Sequence, residues 1–97
     1  MKIRTKIHRI NALVIAVKGR FVQTYVCIEE LSELIKELTK WLRGYSNREH
    51  IIEETADALI CIEQLIQIHR ITDEELDSVI EQKLNRTKHR LEEQTID

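Results

Sequence analysis

Apolar residues recur at steps of three and four along most of this chain, a pattern that predicts helices with one apolar face. Residues 7–17 have this spacing and predict a short helix, although their β-branched residues also permit a strand. A second predicted helix covers residues 21–42. Gly19 is expected to close the first element and Gly44 to serve as the C-cap of the second.

Two capping boxes mark the starts of a third and a fourth helix. Ser46 with Glu49 opens the third predicted helix, and Thr72 with Glu75 opens the fourth. The short connection around Gly44 is rich in turn-forming residues, which favours an antiparallel hairpin of the second and third helices. The predicted fold class is therefore all-α, a four-helix-type bundle with antiparallel helices that dimerisation completes.

The length of 97 residues and the hydrophobic content of 42% predict one small domain, residues 1–97, with a modest core. The formal net charge is -2, but residues 1–20 contain basic side chains and no acidic ones. Such a basic segment is compatible with nucleic-acid binding. The chain has no recognisable DNA-binding signature, so we favour a solvated face, or one that screens an acidic site, and expect no nucleic-acid partner.

The cysteines and the hydropathy pattern indicate a reducing, non-membrane environment. Cys27 and Cys61 stand alone in apolar helical contexts and are interpreted as reduced core residues. The N-terminal segment is too basic and too interrupted for a signal peptide, and the apolar run 12–17 is too short to span a bilayer. We therefore expect a cytoplasmic protein without a membrane partner.

Four acidic residues form two pairs with the same i, i+3 spacing, Glu30 with Glu33 and Glu54 with Asp57. Each pair places two carboxylates one turn apart on a helix face, and the predicted hairpin allows the pairs to meet. Glu30 and Glu54 also interrupt apolar stripes, where carboxylates repel one another unless a cation pairs them. Oxygen ligands without accompanying His or Cys favour Mg²⁺ over Zn²⁺. The alternative is a solvated or salt-bridged face.

The sequence E-E-L-S-E-L at residues 29–34, followed by E-E-T-A-D-A-L-I at 53–60, resembles the E-E-x-x-E and E-x-x-D signature of the all-α NTP pyrophosphohydrolases, the MazG-like superfamily. Gly19 and Gln23 upstream and K-L-N-R at 83–86 downstream extend the resemblance to about residues 19–91. The motifs are short, but their order and spacing together are fairly specific.

This resemblance implies a Mg²⁺-dependent enzyme, with Mn²⁺ as an alternative ion, that hydrolyses a (deoxy)nucleoside triphosphate to the monophosphate and pyrophosphate. It assigns metal binding and catalysis to the motif acids Glu30, Glu33, Glu54 and Asp57. One of these, or the neighbouring Glu29 or Glu53, is expected to act as general base. Phosphoryl chemistry of this kind depends on charge neutralisation and positioning, so it requires no nucleophilic side chain.

For substrate binding, the resemblance suggests Lys83 as a phosphate contact, with Arg86 as a weaker candidate. Trp41 lies where relatives often place an aromatic side chain against the nucleobase, although packing in a core or dimer interface would explain it equally. Many relatives have an asparagine four residues after the lysine, whereas this chain has Thr87 there. That departure concerns the substrate contacts of the last helix and leaves the metal site unaffected.

The expected partners are a nucleoside triphosphate and further copies of the chain, as a homodimer or homotetramer. A rival activity is that of phosphoribosyl-ATP pyrophosphohydrolase, which resembles this chain in size, fold and acidic motifs. A third hypothesis, from a different class, is a non-catalytic helical interaction module whose acidic residues are only solvated.

Overall fold

The computed structural model describes residues 2–95, which form four α-helices and no strand. The helices are α1 (Ile3–Lys18), α2 (Arg20–Leu42), α3 (Arg48–Ile68) and α4 (Asp73–Thr95). The all-α prediction is confirmed, and the N-terminal segment is a helix despite its β-branched residues. It begins four residues earlier than its apolar spacing suggests.

Gly19 separates the first two helices, as the sequence predicts. Its dihedral angles, φ 89° and ψ 155°, lie in a region that is almost restricted to glycine. The Gly19 N–H donates to the carbonyl oxygen of Ile15 at 2.8 Å, which satisfies one of the last carbonyls of α1. The chain can therefore leave α1 and enter α2 with a single residue between them.

The second helix ends at Leu42 with Arg43 as its C-cap, and Gly44 occupies the next position with φ 94°. The N–H groups of Gly44 and Tyr45 donate to the carbonyls of Trp41 and Lys40 at 3.0 and 3.1 Å. This pair of bonds is the Schellman motif, which requires a left-handed residue where Gly44 stands. The predicted role of Gly44 in ending the helix is confirmed, one position beyond the C-cap itself.

The two capping boxes have different outcomes. The box predicted for Ser46 and Glu49 is wrong, because Asn47 is the N-cap of α3 and makes no side-chain capping bond. Its Nδ2 group points to α2 instead and donates to the Glu37 carbonyl oxygen at 2.9 Å. The second box is confirmed. The Glu75 N–H donates to Thr72 Oγ1 at 3.1 Å, and the Thr72 N–H donates to Glu75 Oε1 at 3.0 Å.

Helices α1, α2 and α3 pack against one another. The buried apolar side chains among the described residues are mostly small: Cys27, Ala58, Cys61 and Ile68. Small side chains allow α2 and α3 to approach closely along this seam. As residue numbers rise along α2, the numbers of the α3 residues in contact fall, from the Gln23 and Gln64 pair to the Cys27 and Cys61 pair.

Three buried amide side chains connect these helices. The Gln23 Nε2 group on α2 donates to Gln64 Oε1 on α3 at 3.0 Å, and Gln64 Nε2 donates to Asn11 Oδ1 on α1, also at 3.0 Å. Asn11 Nδ2 in turn donates to the Ile60 carbonyl oxygen at 3.1 Å. Each amide thus has a partner in the interior, as burial of polar groups requires.

Helix α4 packs against none of the other three helices within the described range. The radius of gyration is 16.9 Å, whereas a compact domain of this length has about 13 Å. Large apolar side chains remain exposed on α1, α2 and α4, so one copy of the chain leaves much apolar surface in water. None of the helices described is long and apolar enough to cross a membrane.

Candidate metal centre

Three of the predicted acids meet where α2 and α3 pack. Glu30 on α2 and Glu54 and Asp57 on α3 each offer one oxygen, and these oxygens all lie within 4.8 Å of one another. The contact between Cys27 and Cys61 fixes this arrangement, because the Cys27 thiol lies 3.5 Å from the Cys61 carbonyl oxygen. Glu30 is three residues after Cys27 and Asp57 four residues before Cys61, so both carboxylates lie about one turn away on facing helices.

Burial and the repulsion between neighbouring carboxylates favour the protonated forms of Glu30 and Glu54. Burial raises the pKa of Glu30 above its ordinary value, and the charge of Asp57, a shared hydrogen bond with Asp57 and the charge of Glu54 raise it further. Burial and then the charge of Asp57 likewise raise the pKa of Glu54. The anionic forms of Glu30 and Glu54 are therefore disfavoured, and a bound cation would relieve both their burial and the repulsion between the carboxylates.

The environment of Glu54 provides a direct test of whether a metal fits. Glu54 is half-buried, and its Oε2 atom is buried without a hydrogen-bond partner among the described residues. Buried carboxylate oxygens normally have a donor or a cation beside them. The unpaired oxygen belongs to the same three-carboxylate group, so its position suits a divalent ion.

The chemistry of the neighbouring donors limits the kind of ion. Burial raises the pKa of the Cys61 thiol to about 12, and burial also raises the pKa of the Cys27 thiol. Both thiols are therefore protonated at neutral pH in the metal-free protein, and neither belongs to the three-carboxylate group. No histidine of the described range belongs to the three-carboxylate group. A donor set made only of carboxylate oxygens suits hard ions such as Mg²⁺ and Mn²⁺.

Glu33, the fourth predicted acid, is exposed and lies outside the group of three. It is still part of the same electrostatic environment, because its charge raises the pKa of both Glu30 and Glu54. The structure thus brings three of the four acids together and leaves Glu33 beside them.

Glu37 was not predicted as a site residue from the sequence. It lies on the same face of α2 as Glu30 and Glu33, and these three residues form an acidic row. It is buried, accepts a hydrogen bond from Asn47 Nδ2 at 3.2 Å and lies 3.8 Å from Lys40 Nζ. Its charge also raises the pKa of Glu54. The signal was available, since Glu37 continues the i, i+3 and i, i+4 spacing that starts at Glu30.

The three residues predicted to bind substrate lie apart from the acidic group. Trp41, 59% exposed, lines a cavity of about 410 Å³ at the turn between α2 and α3. Lys83 and Arg86 are exposed on α4, which within residues 2–95 contacts neither helix that carries the acids. These substrate assignments stay predictions.

A scan of protein-family models finds no match to this chain, and searches of curated proteins and of solved structures find none either. The interpretation of the site therefore depends on its own residues.

Proposed function

We propose that this chain is a Mg²⁺-dependent nucleotide pyrophosphohydrolase of the all-α, MazG-like type. It would hydrolyse a (deoxy)nucleoside triphosphate to the monophosphate and pyrophosphate. The observation that carries the proposal is the group of three carboxylates around the unpaired Glu54 Oε2 atom. The motif order that resembles this superfamily supports the choice of reaction.

In this proposal Glu30, Glu54 and Asp57 hold the ion, with Mn²⁺ as an alternative. These residues would hold a divalent ion that, when bound, would supply charge neutralisation to the phosphate groups of the substrate. Water attacks the α-phosphorus, the bond to the bridging oxygen breaks, and pyrophosphate leaves with the electron pair. Glu33 lies beside the ligands without being one of the three, so it is suited to accept the proton of the attacking water.

Residues beyond the acids complete the proposed site. The cavity at Trp41 lies at the α2–α3 turn, the end of the helix pair toward which the acidic row extends through Glu37. The indole is exposed and so is available to pack against a nucleobase. Among the described residues α4 contacts none of the other helices, so in this proposal Lys83 and Arg86 reach the phosphates from another copy of the chain.

The finer architecture belongs to the same proposal. Gln23 contacts Gln64 and Cys27 contacts Cys61, so higher residue numbers on α2 meet lower ones on α3, which supports an antiparallel hairpin. Among the described residues α4 packs on no other helix, which supports completion of the bundle by a second or further copies. A homodimer or homotetramer would cover much of the apolar surface that one copy exposes. Phosphoribosyl-ATP as substrate is the rival within this chemistry.

The test is turnover of a nucleotide panel, including phosphoribosyl-ATP, with and without Mg²⁺ or Mn²⁺. We expect equal amounts of pyrophosphate and monophosphate, only in the presence of the ion. Glu54→Gln should abolish turnover, whereas Glu49→Gln, the same change at an exposed position of α3, should retain it. Absence of turnover with every nucleotide would reject the enzyme in favour of a non-catalytic module. Turnover that needs no metal ion, or that the Glu54→Gln variant retains, would reject the proposed metal site. Cleavage of phosphoribosyl-ATP alone would replace the general activity with the rival one.

A further inference from the structure

Helices α1 and α4 each have an exposed apolar stripe that no other described helix covers. The charged residues near the stripe are basic on α1 and mainly acidic in the first half of α4. On α4, Leu76 is half-buried and four further apolar side chains on the same face are exposed, namely Val79, Ile80, Leu84 and Leu91. A helix of 23 residues with no packing partner does not obtain its stability from propensity alone. This stripe therefore requires a surface that the described part of one chain does not provide.

The N-terminal half of α4 is strongly acidic beside its stripe. Glu74, Asp77 and Glu81 lie on one flank of the apolar face, as successive residues are about 100° apart around a helix. The first basic residue of α4 is Lys83. A partner for this half must offer an apolar stripe with positive charge along one side.

Helix α1 offers such a surface. Its inner face packs on α3 through Asn11 and through the ion pair of Arg4 with Glu63, whose side-chain atoms lie 2.8 Å apart. Its outer face exposes an apolar stripe, and the exposed fraction of the side chain reaches 81% at Val17. The members of this stripe are Ile3, Ile10, Leu13 and Val17. Lys2 lies beside the Leu13 edge of this stripe, and Lys6 lies within the same side of it. Residues 1–20 contain no acidic side chain.

The positions of the two helices favour reciprocal exchange between two copies. One cavity of about 620 Å³ is lined both by the start of α1, including Lys2 and Arg4, and by the start of α4 at Asp73. Both stripes therefore begin at the same end of the molecule. A two-fold axis near this cavity would place each α4 along the α1 of the other copy, so that both contacts form together.

We propose that α4 of one copy docks on the outer face of α1 of a second copy, apolar stripe against apolar stripe, with the acidic flank of α4 facing Lys2 and Lys6. This inference rests on the oligomeric part of the proposed function and does not depend on the metal site. Opposite charges along the rim set the register and orientation of such a pair, while the apolar stripes provide the affinity.

The proposal is tested with two charge-reversal variants of the full chain. The first carries Lys2→Glu and Lys6→Glu on α1, and the second carries Asp77→Lys and Glu81→Lys on α4. Either variant alone places like charges in both contacts of its homodimer, so its dimer dissociation constant should rise at least about tenfold. Mixed in equal amounts, the two variants should form a heterodimer, because one contact is then native and the other has both charges reversed.

Sedimentation velocity and light scattering measure the assembly, and circular dichroism confirms that each variant is helical. The matched control, Glu92→Lys with Glu93→Lys, makes the same change in charge on α4 away from the acidic half and should dimerise like the wild type. A wild-type chain that is monomeric, or a dimer that neither variant weakens, would overturn the proposed contact. A charge-insensitive dimer would leave the proposed enzyme activity standing, since turnover of wild-type protein is measured separately.

Discussion

Gln64 on α3 forms side-chain hydrogen bonds to both of the helices that α3 contacts, and its replacement by leucine tests how much these bonds stabilise the fold. The amide bonds to Gln23 on α2 and Asn11 on α1, and it is 6% exposed. Gln64→Leu leaves Gln23 Nε2 and Asn11 Oδ1 buried without those partners. Each orphaned buried group costs about 1–3 kcal/mol, so the free energy of unfolding should fall by about 2–6 kcal/mol.

For a domain of this size, 1 kcal/mol corresponds to roughly 4–8 °C in Tm, so Tm should fall by at least about 8 °C. Thermal and urea unfolding followed by circular dichroism measure both quantities. The matched control is Gln67→Leu on the same helix, which loses one bond to the His8 carbonyl in exposed surroundings and should cost only about 0.5–1.5 kcal/mol. Equal destabilisation by the two substitutions would refute the importance of the buried network.

Three further substitutions test separate features. Gly19→Ala should destabilise by about 1–3 kcal/mol in urea unfolding, because its φ of 89° strains any side chain although no atom lies within 4 Å of the added methyl group. Thr72→Ala removes half of the confirmed capping box and should cost about 0.5–2 kcal/mol in the same assay. The third is Glu54→Gln without metal, which should stabilise the protein at pH 7. The raised pKa means that folded Glu54 binds protons more readily than unfolded Glu54, so acidification favours the folded wild type. The difference in free energy of unfolding between Glu54→Gln and the wild type should therefore shrink as the pH falls from the raised pKa of folded Glu54 toward its ordinary pKa. A difference that stays constant with pH would contradict the assignment.

Local signals predicted the helices well, and tertiary contacts explain where they failed. Gly19 and the Thr72 box act through backbone geometry and neighbouring bonds, which the sequence displays directly. The box at Ser46 failed because the adjacent Asn47 amide is drawn into contact with Glu37 across the helix pair. That contact spans ten positions and has no signature in the local pattern.

The candidate site was predicted in part for a similar reason. Spacing alone placed Glu30, Glu54 and Asp57 where two helices could bring them together. The same spacing does not show that Glu33 would lie on the exposed side of the row. Neither does it indicate that Gln64 would be buried, because amide residues at helix positions are most often exposed.

The central claim is that Glu30, Glu54 and Asp57 form a divalent-metal site, and Mg²⁺ titration of the metal-free protein tests it most directly. Calorimetry should detect binding to the wild type and to Glu49→Gln, and Mg²⁺ at a hundred times the dissociation constant should stabilise both by about 2.7 kcal/mol. Glu54→Gln should show neither the binding nor the stabilisation. Absence of any Mg²⁺ response in the wild type, or an equal response in Glu54→Gln, would contradict the assignment of this site.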